Sequence, residues 1–322
     1  MNDRLSSEES VPCAICGVSE THPVLAGAGD ATRRYPLVAC DRCGLVFQRR
    51  PRTIQQLDED QADAYGEPER RFGRLVEWGV TRFRQARVRL AERHLPPGGS
   101  VLDVGCGRGL FLRLLQERGY RVRGTELSRA TAANAYPGVP VDAGELRPGR
   151  YPDGSFDLIS IWHVLEHLRE PASVLKTCHD ALKPEGNLMI AVPNLASVQA
   201  RLGGAGWFHL DLPRHVYHFT PDTLRRLLSA TGYEIVSCRT GQWEMDPFGL
   251  LQSFLNRAGL RHNALYDTLR NNEAVKGDLG LLYRGAMIAL FPVGMMAALP
   301  FSLLFRGLGR AGTLIVIARK PA

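Results

Sequence analysis

Residues 101–112 read VLDVGCGRGLFL and carry the most specific local signal in the chain. A short apolar run leads into three glycines at alternate positions, Gly105, Gly107 and Gly109, and a periodic apolar segment follows. Glycine suits a tight turn because it adopts positive φ and has no Cβ to hold a ligand away from the backbone. The stretch therefore predicts a strand, a turn and a helix whose N-terminal N–H groups face an electron-rich ligand.

Two kinds of nucleotide site compete for this turn. A dinucleotide fingerprint requires GxGxxG, but Leu110 stands where the third glycine should be. The observed pattern is GxGxG, and Asp103 precedes it. A glycine turn with no ligand is the remaining alternative.

The motif VLDVGCGRG resembles the first motif of the class I S-adenosylmethionine-dependent methyltransferases, and the resemblance extends over residues 101–194. It implies that the turn wraps the methionine part of the cofactor and that Glu126, in RVRGTELS, accepts hydrogen bonds from both ribose hydroxyls. It also implies that 142–146 lies against the adenine and that the end of the strand in FDLISIWH faces cofactor and acceptor. The implied cofactor-binding residues are Asp103, Gly105, Cys106, Gly107, Gly109, Glu126, Leu127, Asp142, Ala143, Gly144, Trp162 and His163.

Strand and helix patterns alternate after residue 100. Strands are predicted at 100–105, 120–126, 139–142, 155–162, 186–192, 233–240 and 313–319, and helices at 109–118, 128–135, 171–183 and 221–231. Such alternation predicts an α/β fold, a Rossmann-like seven-stranded and mostly parallel sheet with helices on both faces. Ligands bind these sheets at the carboxyl ends of the strands.

The segments CAICG and CDRCG form two CxxC pairs, each followed by glycine. This pattern predicts a small zinc ribbon in which four thiolates, those of Cys13, Cys16, Cys40 and Cys43, hold one structural zinc ion. Residues 38–47 are expected to form a strand that carries the second pair. Two disulfides are the alternative, and a reducing compartment disfavours them.

The patterns divide the chain into five parts. We expect a zinc-ribbon-like module at 1–50, a linker with an amphipathic helix over 69–95 at 51–99, and a catalytic core at 100–240. An apolar substrate-side insertion at 241–312 and the last strand at 313–322 complete the chain.

Composition narrows the class of protein. With 44% hydrophobic and 23% charged residues, the chain is globular rather than disordered or fibrous. The net charge is +7, and eight arginines lie within residues 70–94, but no aromatic-interleaved basic motif of the kind found in nucleic-acid sites accompanies them. Residues 1–10 are polar and acidic, so no signal peptide is expected and the cytoplasm is the expected compartment.

Histidines concentrate near two predicted strand ends. His163 and His167 would share a helix face, and residues 207–221, WFHLDLPRHVYHFTP, contain three more. The latter segment resembles one that forms part of the substrate pocket in the ubiquinone-type O-methyltransferases and their relatives. A hydroxyl acceptor needs a base, for which His215 is the first candidate and His163 the second. The alternative is that these histidines cap helices and bond to backbone carbonyls.

Residues 285–305, GAMIALFPVGMMAALPFSLLF, contain no charge, and arginines flank them. A single membrane span would separate residues 313–319 from the other strands. Because Pro292 and Pro300 interrupt the run, we expect a helical hairpin that contacts the inner face of the membrane peripherally, with arginines near lipid phosphates. An insertion folded onto the protein or onto a dimer partner is the alternative.

These observations predict an S-adenosylmethionine-dependent methyltransferase that modifies an oxygen of a small-molecule or lipid-linked acceptor. Sugar C-methyltransferases, which also carry a cysteine-rich module, are the rival; they have a further C-terminal domain, and here the chain ends after the last predicted strand. Two other classes stay open. A non-catalytic nucleic-acid-binding protein would bind DNA or RNA in a salt-dependent manner, and an NAD-linked oxidoreductase is disfavoured by Leu110.

Overall fold

The computed structural model describes residues 11–25, 30–49, 74–243, 245–270 and 280–322. Its larger sheet contains seven strands, as predicted. They are β4 (Ser100–Val104), β5 (Arg121–Glu126), β6 (Val141–Ala143), β7 (Phe156–Trp162), β8 (Leu182–Pro193), β10 (Glu234–Thr240) and β11 (Thr313–Arg319). The predicted linker at 51–68 and the start of the predicted amphipathic helix lie outside the described residues.

The strand order in this sheet is β10-β11-β8-β7-β4-β5-β6. The central strands are parallel, and β11 alone runs antiparallel to both of its neighbours, β8 and β10. The sheet is therefore mostly parallel, and the fold prediction is confirmed. The carboxyl ends of β4, β5, β6 and β7 meet at one edge, together with the start of β11.

Helices cover both faces of the sheet. They are α2 (Arg74–Glu92), α3 (Leu110–Gln116), α4 (Arg129–Ala133), α5 (Pro171–Ala181) and α7 (Pro221–Ala230). All five residues of β4 are buried, as expected for a parallel strand with both faces covered. Its side chains alternate between two cores: Leu102 packs in the core beneath α5 and α7, and Val101 in the core beneath α2 and α3.

The cysteine-rich region forms a second, four-stranded antiparallel sheet of order β1-β2-β3-β9. Its strands are β1 (Thr21–Val24), β2 (Leu37–Cys40), β3 (Val46–Gln48) and β9 (Tyr217–His218), and α1 (Asp30–Arg34) lies between β1 and β2. The prediction of one strand over 38–47 is wrong. Residues 41–45 turn the chain back on itself, with Gly44 at φ 76°, so the segment is a hairpin.

The apolar region forms three helices with α6 (Val198–Gly203) beside them: α8 (Asp246–Arg257), α9 (Ala264–Arg270) and α10 (Leu281–Gly307). The prediction of a helical hairpin is wrong, because α10 is one helix of 27 residues that contains both Pro292 and Pro300. Both prolines are exposed, while the opposite side of the helix packs on α8 and α9. This packing offsets the hydrogen bonds that proline removes.

Among the described residues, α10 is the one helix long and apolar enough to cross a membrane by length and composition. Its most apolar window has a mean hydropathy of 2.1, and 17% of that window is buried. A core helix of a globular protein would be mostly buried, so this helix leaves an unusually apolar surface exposed.

Candidate functional site

The turn between β4 and α3 is built by glycines in the left-handed region. Gly105, Gly107 and Gly109 have φ of 70°, 59° and 79°. The N–H groups of Gly105 and Cys106 donate to the Thr125 carbonyl at 2.8 and 3.0 Å, which fastens the turn to the end of β5. The predicted strand, turn and helix are therefore present at the sheet edge where ligands bind.

The three glycines meet different surroundings. A Cβ on Gly105 would lie 2.4 Å from Val164 Cγ2, and one on Gly109 would lie 2.9 Å from Val139 Cγ1. A Cβ on Gly107 would meet no atom within 4 Å. Gly107 therefore faces open space, and a ligand can approach its backbone directly.

Glu126 closes the other side of this space at the end of β5. Its Oε2 accepts a hydrogen bond from Gly107 N–H at 2.9 Å, and its Oε1 accepts one from Ser128 N–H at 3.1 Å. Each carboxylate oxygen can accept a second hydrogen bond, so these contacts fix the side chain and leave lone pairs for a ligand. Leu127, half-buried, follows directly.

Asp103 and Cys106 point away from the open space. Asp103 is 4% exposed and accepts a hydrogen bond from Ser160 Oγ at 2.6 Å; burial raises its pKa to about 6. The Cys106 Sγ packs 2.4 Å from where a Cβ on Gly124 would be. These side chains support the turn from behind.

The adenine-side candidates lie at the end of β6. Asp142 is held by Arg123, whose two guanidinium nitrogens donate at 2.6 and 2.9 Å, and by Tyr151 Oη at 2.6 Å. Hydrogen bonds from Arg123 hold the pKa of this carboxyl below its usual range. Gly144 N–H donates to the Glu126 carbonyl, so Ala143 and Gly144 stand beside the ribose candidate as backbone.

Trp162 is the last residue of β7, and His163 follows it at the same edge of the sheet. Trp162 is buried, and the Arg87 guanidinium lies 4.7 Å from its ring centroid. His163 has φ 55°, which a histidine rarely adopts. Its Nε2 bonds to Gln242 Oε1 at 2.9 Å, and its Nδ1 lies 3.4 Å from Glu166.

The histidines form one buried cluster rather than a helix face. Leu165–His167 is a single turn of 3₁₀ helix, and His163 lies outside it. The His163 and His209 rings are stacked with centroids 6.4 Å apart, and the His167 and His215 rings meet at 4.6 Å. The cluster comprises His163, His167, His209, His215 and His218, with Glu166 and Asp211 beside them.

The two candidate bases differ in access. His215 is 7% exposed, its Nδ1 bonds to the His209 carbonyl at 2.8 Å, and its Nε2 faces Asp211 at 3.7 Å. Burial lowers the pKa of His215 well below 6.5. The His163 side chain is 17% exposed and follows Trp162 at the strand end. The geometry therefore favours His163 over His215 for contact with an acceptor.

Glu166 lies in the middle of the cluster at 1% exposure, and neither of its carboxylate oxygens has a hydrogen-bond partner among the described residues. Its ligand atoms and those of His167 and His215 lie within 4.8 Å of one another. By distance and donor type these three residues could hold a cation.

The four predicted metal-ligating cysteines converge, all with free thiols. Sγ–Sγ distances are 3.4 Å between Cys13 and Cys43 and 3.5 Å between Cys16 and Cys40. Four thiolates at about 2.3 Å around a tetrahedral zinc ion would be about 3.8 Å apart. The donor set and spacing therefore fit zinc.

Sequence reasoning missed two glutamines that position the histidines. Gln242 follows β10 and holds His163; no local motif marks it. Gln48, 1% exposed, donates from Nε2 to the carbonyls of Pro213 and His215 at 2.6 and 2.8 Å. Its place in β3, the strand that follows the second cysteine pair, was the one available signal.

Residues 75–238 match the model of a family described as a methyltransferase domain. The chain is similar to ubiquinone biosynthesis O-methyltransferases from Pseudomonas paraeruginosa, at 34% identity over 32% of this chain and 48% of that protein, and from Idiomarina loihiensis, at 30% identity over 44% and 63%. A probable S-adenosylmethionine-dependent methyltransferase of Mycolicibacterium smegmatis is 30% identical over 48% and 59%. The matches span about half the length of these curated relatives.

Among solved structures, the chain is similar to a SAM-dependent methyltransferase from Archaeoglobus fulgidus. The identity is 21%, the TM-score is 0.48, and the similarity covers 74% of this chain and 94% of that one.

Proposed function

Because the chain belongs to the methyltransferase domain family, we propose that it transfers a methyl group from S-adenosylmethionine to an oxygen of a small-molecule or lipid-linked acceptor. The observation that carries the proposal is the open space bounded by the Gly107 backbone and the Glu126 carboxylate. The chain's similarity to O-methyltransferases over about half of their length supports oxygen as the target.

The residues at this edge fit the cofactor. Gly107 leaves room at the backbone, and the unused lone pairs of Glu126 suit two ribose hydroxyls. Leu127 follows Glu126 directly, and the backbone of 142–144 pairs with the backbone at Glu126, where the adenine would lie. When bound, S-adenosylmethionine supplies an electrophilic methyl group on a sulfonium.

The work of the protein is to position the acceptor and to remove its proton. We assign the proton to His163, with His215 as the second candidate. The His163 Nε2 bonds to Gln242 Oε1, which leaves Nδ1, 3.4 Å from Glu166 Oε1, as the nitrogen that would accept the proton. An acceptor hydroxyl within hydrogen-bond reach of the ring would lose its proton as the new C–O bond forms.

We also propose that Cys13, Cys16, Cys40 and Cys43 hold one structural zinc ion. Four thiolates leave no open coordination position, so the ion would stabilise the β2–β3 hairpin. A metal assay should find one zinc per chain, and Cys40→Ser with Cys43→Ser should lose it.

A peripheral membrane contact through 285–305 completes the proposal. This stretch lies in α10, whose exposed surface is apolar. The strands before and after this region in the chain, β10 and β11, both belong to the seven-stranded sheet. A lipid-linked acceptor would reach the site from this side.

Two measurements test the function. Calorimetry of the zinc-loaded protein with S-adenosylhomocysteine should give a binding signal that Glu126→Gln weakens at least ten-fold. Labelled S-adenosylmethionine, incubated with enzyme and cell extract, should then label an acceptor through an acid-stable ether. A labelled C–CH₃ product would favour the sugar C-methyltransferase instead, and no binding of either cofactor form would overturn the proposal.

A further inference from the structure

The side of α10 that packs on the protein is narrow. Met287, Ala298 and Ser302 are buried, and partly buried side chains between them pack on α8 and α9. Met287, Ala298 and Ser302 are eleven and four positions apart, about three turns and one turn, so they lie on one helix face. A stripe buried along most of the helix means that α10 lies against the protein along its length and is not surrounded by lipid.

The opposite side, here called the outer face of α10, is apolar and exposed. Its exposed fractions are 54% for Ile288, 60% for Val293, 72% for Met296, 55% for Phe301 and 54% for Leu304. Contiguous apolar surface of this kind marks an interaction site in a globular protein. The helix is about 40 Å long at 1.5 Å per residue, so the face is an extended strip rather than a pocket.

The last turns of α10 border a small, open cleft against the turn that follows β10. Arg306 packs against Gly241 and lies 5.6 Å from the Trp243 ring centroid. Ser302, 7% exposed, lines the cleft, and within the described ranges its hydroxyl has no hydrogen-bond partner. An arginine and an unused hydroxyl are donors that suit a phosphate.

Among the described residues, Arg306 lines this cleft, and Arg239 lies close enough to Arg306 for the two positive charges to repel each other. None of the described carboxylates lies within salt-bridge distance of Arg239, Arg306 or Arg310. Asp246 also borders the cleft, but it is 3% exposed and its two oxygens accept hydrogen bonds from Gln242 N–H and Thr313 Oγ1. Its charge is therefore directed into the protein.

We propose that this cleft binds the phosphate of an anionic membrane lipid while the outer face of α10 lies in the surface of the same bilayer. The inference rests on the membrane contact proposed above and deepens it. An amphipathic segment in this position buries its apolar side in the acyl boundary, and arginine and tryptophan lie at headgroup depth.

This placement has a consequence for the acceptor. Gln242, which lines the cleft, also holds His163. Gly241 N–H donates to the Thr313 carbonyl at the edge where the parallel strands end. The bilayer surface therefore adjoins the site, and an acceptor anchored by an apolar tail would present its head group there.

Flotation with vesicles tests the inference, using the full zinc-loaded chain. We expect it to float with vesicles of phosphatidylcholine and phosphatidylglycerol and much less with phosphatidylcholine alone. Arg306→Gln should lower the partition coefficient about five-fold, as for about 1 kcal/mol per arginine near an anionic surface. Arg225→Gln, the same change on α7, should leave it within two-fold.

A second pair of variants tests the contact made by the outer face of α10. Met296→Glu should lower partitioning at least ten-fold, and Val236→Glu, which changes an exposed valine on β10, should not. Equal losses in both members of either pair would overturn the inference. So would light scattering in which the wild type is a dimer that Met296→Glu dissociates, because a second copy would then cover the face.

S-adenosylhomocysteine binding, measured on each variant, separates this inference from the proposed function. If the wild type binds S-adenosylhomocysteine but does not float with anionic vesicles, the lipid site alone is refuted. Flotation without cofactor binding refutes the methyltransferase proposal and leaves the lipid site standing.

Discussion

Gly107 is the residue on which the proposed cofactor site depends most directly, because a Cβ on it would meet no atom within 4 Å. Gly105 and Gly109 are required by their neighbours, Val164 and Val139, whose methyl groups occupy the position of a Cβ. At Gly107 a side chain would meet no protein atom, so any loss of binding on substitution reports the ligand itself.

We therefore expect Gly107→Ala to weaken S-adenosylhomocysteine binding at least ten-fold in calorimetry, because the new methyl group stands in the ligand's space. Gly119→Ala is the matched control: Gly119 has φ 86° and open surroundings, but it lies on the turn after α3. Both changes should cost about 1 kcal/mol of stability for the left-handed backbone. Equal affinities in the two variants would contradict the assignment.

At the scale of elements, the cysteine-rich sheet and the histidine segment form one unit. β9, which belongs to that segment, pairs with β3 in the register Val46↔His218 and Phe47↔Tyr217. Gln48 extends this pairing through its backbone N–H, which donates to the Val216 carbonyl, and through its side chain. The cysteine-rich sheet is therefore joined directly to the segment that contains His215 and His218.

Gln48→Leu should lower methyl transfer at least ten-fold while S-adenosylhomocysteine affinity stays within two-fold, because two buried carbonyls lose their donor and the segment with His215 loosens. Each unsatisfied group costs about 1–3 kcal/mol, so the melting temperature should also fall. Gln116→Leu, which removes an exposed bond to the Gly138 carbonyl, is the control. A loss of stability no larger than in that control would refute the role of Gln48 in holding the histidine segment.

Across the whole molecule, buried titratable groups determine how the free energy of unfolding changes as the pH falls. Burial lowers the pKa of His209 to about 3 and that of His218 to about 4, and lowers that of His215 well below 6.5. Asp103 and Asp246 act in the opposite direction, because burial raises the pKa of each to about 6. The imidazoles of His209, His215 and His218 are therefore neutral at pH 7.

Below pH 6.5 the unfolded chain protonates His218, whereas the folded chain does so only near pH 4. The unfolded state then binds more protons, so the free energy of unfolding falls as the pH falls. His218→Phe should reduce this fall between pH 6.5 and 4 by about 3 kcal/mol, measured by urea unfolding and referenced to pH 7. Parallel curves for wild type and variant would contradict the prediction.

Local signals were sufficient for the sheet and the cofactor turn. The alternation after residue 100 predicted all seven strands, because apolar period and glycine turns are properties of neighbouring residues. The four cysteines were found for the same reason: their spacing is a local pattern. Local patterns failed in two places. At 38–47 a turn interrupts the expected strand, and in α10 tertiary packing keeps the helix continuous through both prolines.

The amino-acid sequence by itself determined the family, the α/β sheet and the cysteine cluster, since each depends on short-range spacing. Only the tertiary structure decided that α10 is a single helix with an exposed apolar face, that Gln48 and Gln242 hold the histidines, and that His163 is more accessible than His215. These facts depend on contacts between residues up to 167 positions apart. Such contacts arise from packing of whole elements, which no local pattern encodes.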